Sequence, residues 1–351
     1  MRRLNSIRIL RAVTATTVVV HHVLIQDGQV FGQFRVDVFF VLSGFVIALA
    51  LEASTVSVRD FVVSRVVRIV PLYWLATLLV FFSALLRPDL FNSTTANVPG
   101  LLKSLLFIPY RKESGHVFPM LFVGWTLNYE MLFYAASALA LWWFRRHLSF
   151  VLAAITLLLA GLFVAANLAH SDHAAVEVLA YDRMLEFPLG FAVWYAWKKG
   201  VRVPVALAAP GAVGMYLLMT WIERAWPDVS QLVGNGLPTC LLLLSTLSLE
   251  SLVTDNALTR GLLYLGDASY AIYLSHPFVV EGMRKLLPKV AHGFDLRSPA
   301  GVTLAIVMAS VLGCAVYRYI DKPLQRALRR VINVKRVVNV PAGNEAPYRV
   351  R

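Results

Sequence analysis

Residues 149–168, SFVLAAITLLLAGLFVAANL, run for 20 positions without one ionisable side chain. At about 1.5 Å per residue, a helix of this length is about 30 Å long, the thickness of a hydrocarbon core. In lipid each backbone amide must be bonded within its own segment, so the run reads as a membrane-spanning helix. Working outward, comparable blocks recur at 7–26, 34–52, 68–86, 123–144, 181–197, 203–222, 232–252, 263–281 and 300–319. Together they predict an all-α integral membrane protein, a bundle of about ten transmembrane helices. The block at 263–281 is interrupted by Asp267, His276 and Pro277. Leu101 to Ile108, in the longest loop, is too short to span and reads as interfacial or re-entrant.

Composition agrees with this reading. The chain is 58% hydrophobic and 15% charged, with a mean hydropathy of +0.66. A soluble protein of 351 residues needs far more charge to cover its surface. The net charge of +13 is spread over the loops, so the bilayer, not nucleic acid, is the expected partner. Counting alternate sides puts 22 of the 33 Lys and Arg on the side of both termini, which are therefore predicted to be cytoplasmic. Cys240 and Cys314 lie inside apolar blocks with no pairing or metal-site spacing, so no metal is expected. The N-terminus is read as a retained helix, because His21-His22 interrupts its apolar run and no small-x-small cleavage site precedes Gln33. The segment DKPLQRALRRVINVKR, from Asp321, reads as a basic amphipathic stretch on anionic headgroups. We divide the chain into a membrane domain, 1–328, and a basic, disordered cytoplasmic tail, 329–351.

Ionisable groups at membrane depth are costly and so mark candidate sites. Arg11 and His22 are eleven residues apart, which returns His22 to within about 20° of the face of Arg11 and about 16 Å along it. His21 lies about 80° off that face, so His22 is the histidine expected in a site lined by Arg11. The plainer reading is a buried histidine bonded to a neighbouring helix. In GQFRVDVFFVLSGFVI, residues 32–47, Arg35 and Asp37 stand at the outer mouth, and Asp37 is placed to orient or charge-couple a histidine of the first helix. Ser43 and Gly44 in the same stretch suit close helix packing, and Ser43 has no evident base to make it a nucleophile.

RVVRIVPLYW, residues 65–74, puts Arg65 and Arg68 on one face at a cytoplasmic helix start, where two arginines suit a polyanion such as a nucleotide phosphate. Ordinary anchoring with Tyr73 and Trp74 at the interface is the alternative. WTLNYEMLFY, residues 125–134, carries Glu130 inside a helix, which calls for a polar cavity or a proton. LGDASYAIYLSHP, residues 265–277, places Tyr270, Tyr273 and His276 three residues apart on one broad face. Glu186-Phe187-Pro188 is read as a helix opening with a proline kink.

In this order the segments resemble acyltransferase family 3, the multipass membrane acyltransferases, from about Ile7 to Leu328. The marks are Arg11 with His22 after ten residues, VDVFFVLSGF, the two arginines before PLYW, WTLNYEMLFY, LGDASYAIYLSHP and the closing Asp321-Lys322-Pro323. The wording is most similar to the exopolysaccharide O-acetyltransferase branch. Asn5-Ser6-Ile7, the extra His21 and Asp321 depart from the family's usual residues, and no soluble hydrolase-like domain is appended. The resemblance implies an O-acyltransferase of the bacterial cytoplasmic membrane. It would move an acetyl group from acetyl-CoA to a hydroxyl of a glycan or lipid-linked glycan. His22 would be the catalytic histidine and Arg11 its partner. Arg65 and Arg68 would hold the CoA phosphates, and Glu130 would be an essential polar residue of the site.

A histidine in that place either takes the proton of the acceptor hydroxyl or receives the acyl group itself. Arg11 would stabilise the oxyanion or hold the donor. The rival class is a proton-coupled transporter or glycan flippase with His22, Asp37 and Glu130 as a relay. It leaves the paired arginines unexplained, and the internal repeat common in transporters is not evident.

Overall fold

The computed structural model describes residues 4–25, 34–52, 57–91, 94–144, 147–290 and 293–332. Arg2, Arg3, Arg145, Arg146 and the tail beyond residue 332, which entered the charge count and the domain division, lie outside the described residues. Among the described residues the architecture is helical, and one isolated bridge, between Arg111 and Val117, is its β-structure.

The helices run α1 (Asn5–Leu24), α2 (Phe34–Leu51), α3 (Val58–Leu86), α4 (Val98–Leu105), α5 (Trp125–Phe144), α6 (Leu148–Ala169), α7 (Ala174–Leu179), α8 (Glu186–Lys198), α9 (Val205–Ala225), α10 (Leu237–Ser248), α11 (Ala257–Val290), α12 (Pro299–Val316) and α13 (Lys322–Ile332). Six stretches among the described residues are long and apolar enough to cross a membrane: α1, α3, α6, α9, Leu232–Leu252 and Pro299–Ile332. The protein is thus a multi-pass membrane protein.

Two elements differ from the sequence expectation. α3 begins at Val58, not at 68, because Ser57 caps it and accepts from the Asp60 amide. Arg65 and Arg68 therefore lie two to three turns inside the helix. α11 extends for 34 residues, straight through Asp267, His276 and Pro277. Its charges are matched by neighbours: Asp267 takes a two-pronged bond from Arg8, at 2.9 and 2.6 Å. The short apolar piece forms α4, held by Tyr73 Oη and Trp74 Nε1 on the carbonyls of Ser104 and Leu105. The two aromatics therefore brace a loop helix, beyond any anchoring role at the interface.

Lipid tails are as apolar as leucine, so the helices associate by close packing and polar contacts. α2 and α8 cross at Gly44 and Gly190. A Cβ on Gly44 would fall on the Phe187 carbonyl, and one on Gly190 on that of Val41. Gly266 does the same for α11 against the Arg8 carbonyl of α1. α1 is thereby seated against α11, which sets the site.

Candidate active site

Between α1, α2, α3, α5 and α11 lies a cavity of about 150 Å³. Its lining includes Arg11, Ser43, Arg65, Arg68, Glu130, Tyr134, Ser269, Tyr270 and Tyr273, over an apolar wall of Val36, Phe39, Leu42, Val46 and Ile47. Three guanidiniums and one carboxylate face a single space. Such an excess of partly buried positive charge within a helical bundle is costly unless a ligand or water answers it.

Each cation is held locally. Arg11 donates to Ser269 Oγ at 2.9 Å. Arg65 lies over the Phe61 and Tyr134 rings, 5.8 and 5.9 Å from their centroids, and its buried Nε has no hydrogen-bond partner. Arg68 lies 5.6 Å from the Tyr270 ring centroid and 3.8 Å from Asp321, which a π turn at Tyr317–Asp321 brings inward. Glu130 accepts from Tyr134 Oη one turn on. Tyr270 and Tyr273 share a face as expected, their hydroxyls donating to the Ile69 and Val123 carbonyls at 2.7 Å each. Tyr273 Oη is also 2.9 Å from Thr126 Oγ1.

His22 stands apart from this group, three turns beyond Arg11. Its Nδ1 is 2.9 Å from the Val18 carbonyl and 3.2 Å from His276 Nε2. The rings of His21 and Phe122 flank it at 4.9 and 5.4 Å. Arg284 donates to the His22 carbonyl, in the last turn of α1. Arg11 and His22 thus share a helix but not a contact; Tyr273 joins them, lining the cavity and offering its carbonyl to His276 Nδ1 at 2.7 Å. His22 is bonded to a neighbouring helix, as the plainer hydrogen-bonding expectation has it, and it is not among the residues lining the cavity with Arg11.

Asp37 requires a correction. It does not pair with a histidine of α1: Arg183 Nε meets it at 3.1 Å and Asn235 Nδ2 at 3.0 Å. Its α2 face turns toward α8, where Glu186 is also fully buried with neither carboxylate oxygen hydrogen-bonded. Arg35 is buried near Tyr216 and Glu223 of α9 rather than open at a mouth. Ser43 lines the cavity, whereas the packing role belongs to Gly44.

Sequence reasoning missed Tyr134, Ser269, Arg183 and Asn235. Tyr134 had a signal, the four-residue spacing from Glu130. Arg183 had none, because its partner is 146 residues away. No cluster of three or more His, Cys, Asp or Glu fit for a metal occurs among the described residues.

The profile of the acyltransferase domain of acyltransferase family 3 matches residues 4–319. The chain is 33% identical to the exopolysaccharide production protein ExoZ of Rhizobium meliloti (strain 1021), over 84% of this chain and 90% of that protein. It is 27% identical to the acyltransferase MdmB of Streptomyces mycarofaciens, over 91% of this chain and 87% of that protein. No solved structure matches it.

Proposed function

The chain belongs to acyltransferase family 3 and is an acyltransferase for groups other than amino-acyl groups, and we propose that it moves an acetyl group from acetyl-CoA to a glycan hydroxyl. The observation that carries the donor is the cavity with Arg11, Arg65 and Arg68 against Glu130, its buried Arg65 Nε lacking a partner. Guanidiniums in such a space suit phosphate oxygens, which they bond in pairs. The apolar wall of Val36, Phe39, Leu42, Val46 and Ile47 beside the arginines suits a slender chain. The phosphates therefore stay at the arginines while the acyl-bearing arm runs along the apolar wall toward Tyr273.

The acceptor follows the relative ExoZ, a protein of exopolysaccharide production: a glycan or lipid-linked glycan. His22 carries the chemistry. Its imidazole takes the hydroxyl proton as the oxygen attacks the thioester carbonyl; the carbon–sulfur bond breaks, and the proton passes to the leaving CoA thiolate. In the two-step alternative the imidazole first receives the acetyl group. Because Arg11 lies about 16 Å before His22 along α1, we assign it to holding the donor and not to the oxyanion. Glu130 fixes Tyr134 beside Arg65, and Asp37 keeps α2 against α8.

The topology proposed with this function has about ten membrane helices, α2, α5, α8 and α11 completing the six apolar stretches. Both termini would lie in the cytoplasm of a bacterial cell, and α13 with the basic tail would rest on the inner-membrane surface. The test is acetyl-CoA turnover by the purified chain and its His22→Ala and His21→Ala variants. Loss in the first alone supports the assignment, and full activity of His22→Ala contradicts it. Glycan flux without release of CoA would place the protein among transporters.

A further inference from the structure

We infer that His276 is a positioning residue for His22, accepting a hydrogen bond from His22 Nδ1 and so leaving Nε2 as the bare nitrogen of the reacting ring. The inference rests on the reading of His22 as the group that serves acyl transfer.

The case begins with Pro277. In a helix the carbonyl of Tyr273 is owed a hydrogen bond by the amide four residues on, and a proline there has none to give. His276 fills the gap: its Nδ1 lies 2.7 Å from the Tyr273 carbonyl. A carbonyl can only accept, so the proton of His276 sits on Nδ1. A neutral imidazole carries one N–H, and this ring is fully buried, so its Nε2 is a bare acceptor.

That acceptor is 3.2 Å from His22 Nδ1. His22 Nδ1 is also 2.9 Å from the Val18 carbonyl, which again can only accept. His22 therefore carries its proton on Nδ1, shared between Val18 and His276, and its Nε2 holds the lone pair. When that lone pair takes a proton, the Nδ1–H bond to His276 persists and becomes charge-assisted. The Val18 carbonyl already serves its own helix, so His276 is the partner that fixes the angle of the ring. It occupies the place expected for Asp37, a carboxylate that is engaged by Arg183 instead.

The test uses the full chain in lipid nanodiscs with 15N-labelled histidine. Expected are a protonated Nδ1 and bare Nε2 on both rings, with a through-hydrogen-bond coupling between His22 Nδ1 and His276 Nε2. A proton on His276 Nε2, or no coupling, overturns the inference. In turnover, His276→Leu should lower kcat by roughly 10–100-fold, the usual cost of losing the partner that orients a functional histidine, with KM for acetyl-CoA held. His276→Gln, whose Oε1 can accept in the same place, should recover most of the loss. Equal kcat for His276→Leu and the wild type, or a glutamine variant no better than leucine, overturns it. Should the leucine variant fail to fold, the glutamine variant and the spectra decide. A fully active His22→Ala protein removes the acyl-transfer reading and this inference together; an essential His22 beside an indifferent His276 removes this inference alone.

Discussion

Where α2 meets α8 and the turn before α10, buried acidic side chains outnumber basic ones: Asp37 and Glu186 flank Arg183, and the amides of Asn235 and Gln231 complete the packing. Where α1, α3, α5 and α11 meet, the sign is reversed, with Arg11, Arg65 and Arg68 against Glu130, and the groups surround open volume. The first cluster ties elements far apart in sequence through bonds to one another. The second leaves cationic surface facing a space that an anionic ligand can fill. Buried charge therefore does two jobs in one bundle, and what separates them is whether the partner is another side chain or a void.

The largest effect expected on this division is on chemistry. His22→Ala should lower acetyl-CoA turnover by roughly 10²–10⁴-fold while CoA binding is kept, measured by CoA release beside equilibrium binding. A variant that loses both together would make His22 part of the frame. Next is the frame itself: Arg183→Leu leaves Asp37 buried without its cation and should cost about 3–5 kcal/mol of stability, read by denaturation in detergent. Stability unchanged in that variant would break the comparison at its other end. Gly44→Ala should cost about 1–3 kcal/mol, since the new Cβ meets the Phe187 carbonyl. The smallest effect belongs to Pro277→Ala. The restored amide would compete for the Tyr273 carbonyl and lower kcat several-fold, on the order of 1 kcal/mol, without loss of folding.

Much of the cavity was legible because its residues recur at helical spacing within single segments. Arg65 with Arg68 and Tyr270 with Tyr273 each lie within one turn, and the long apolar block at 149–168 announced the solvent, whereas Tyr134, one turn from Glu130, was missed. The failures have one physical origin: contacts between helices carry no periodicity. Asp37 was matched to α1 because α1 is its neighbour in sequence, but the crossing at Gly44 and Gly190 turns it toward Arg183. Arg11 and His22 share a face, as their spacing requires, yet the same spacing separates them by three turns, so Arg11 lines the cavity while His22 meets His276 beyond it. Pro277, read as an interruption of a weak span, instead frees the carbonyl that fixes His276.

The most direct measurement is CoA affinity of the purified full chain, compared between Arg65→Gln/Arg68→Gln and Asp37→Asn. The account predicts that the arginine pair loses at least about 10-fold in affinity, each lost charge-assisted bond being worth about 1.5–3 kcal/mol, while Asp37→Asn binds as the wild type does. Wild-type affinity in the arginine variant, with the loss appearing in Asp37→Asn, would contradict it.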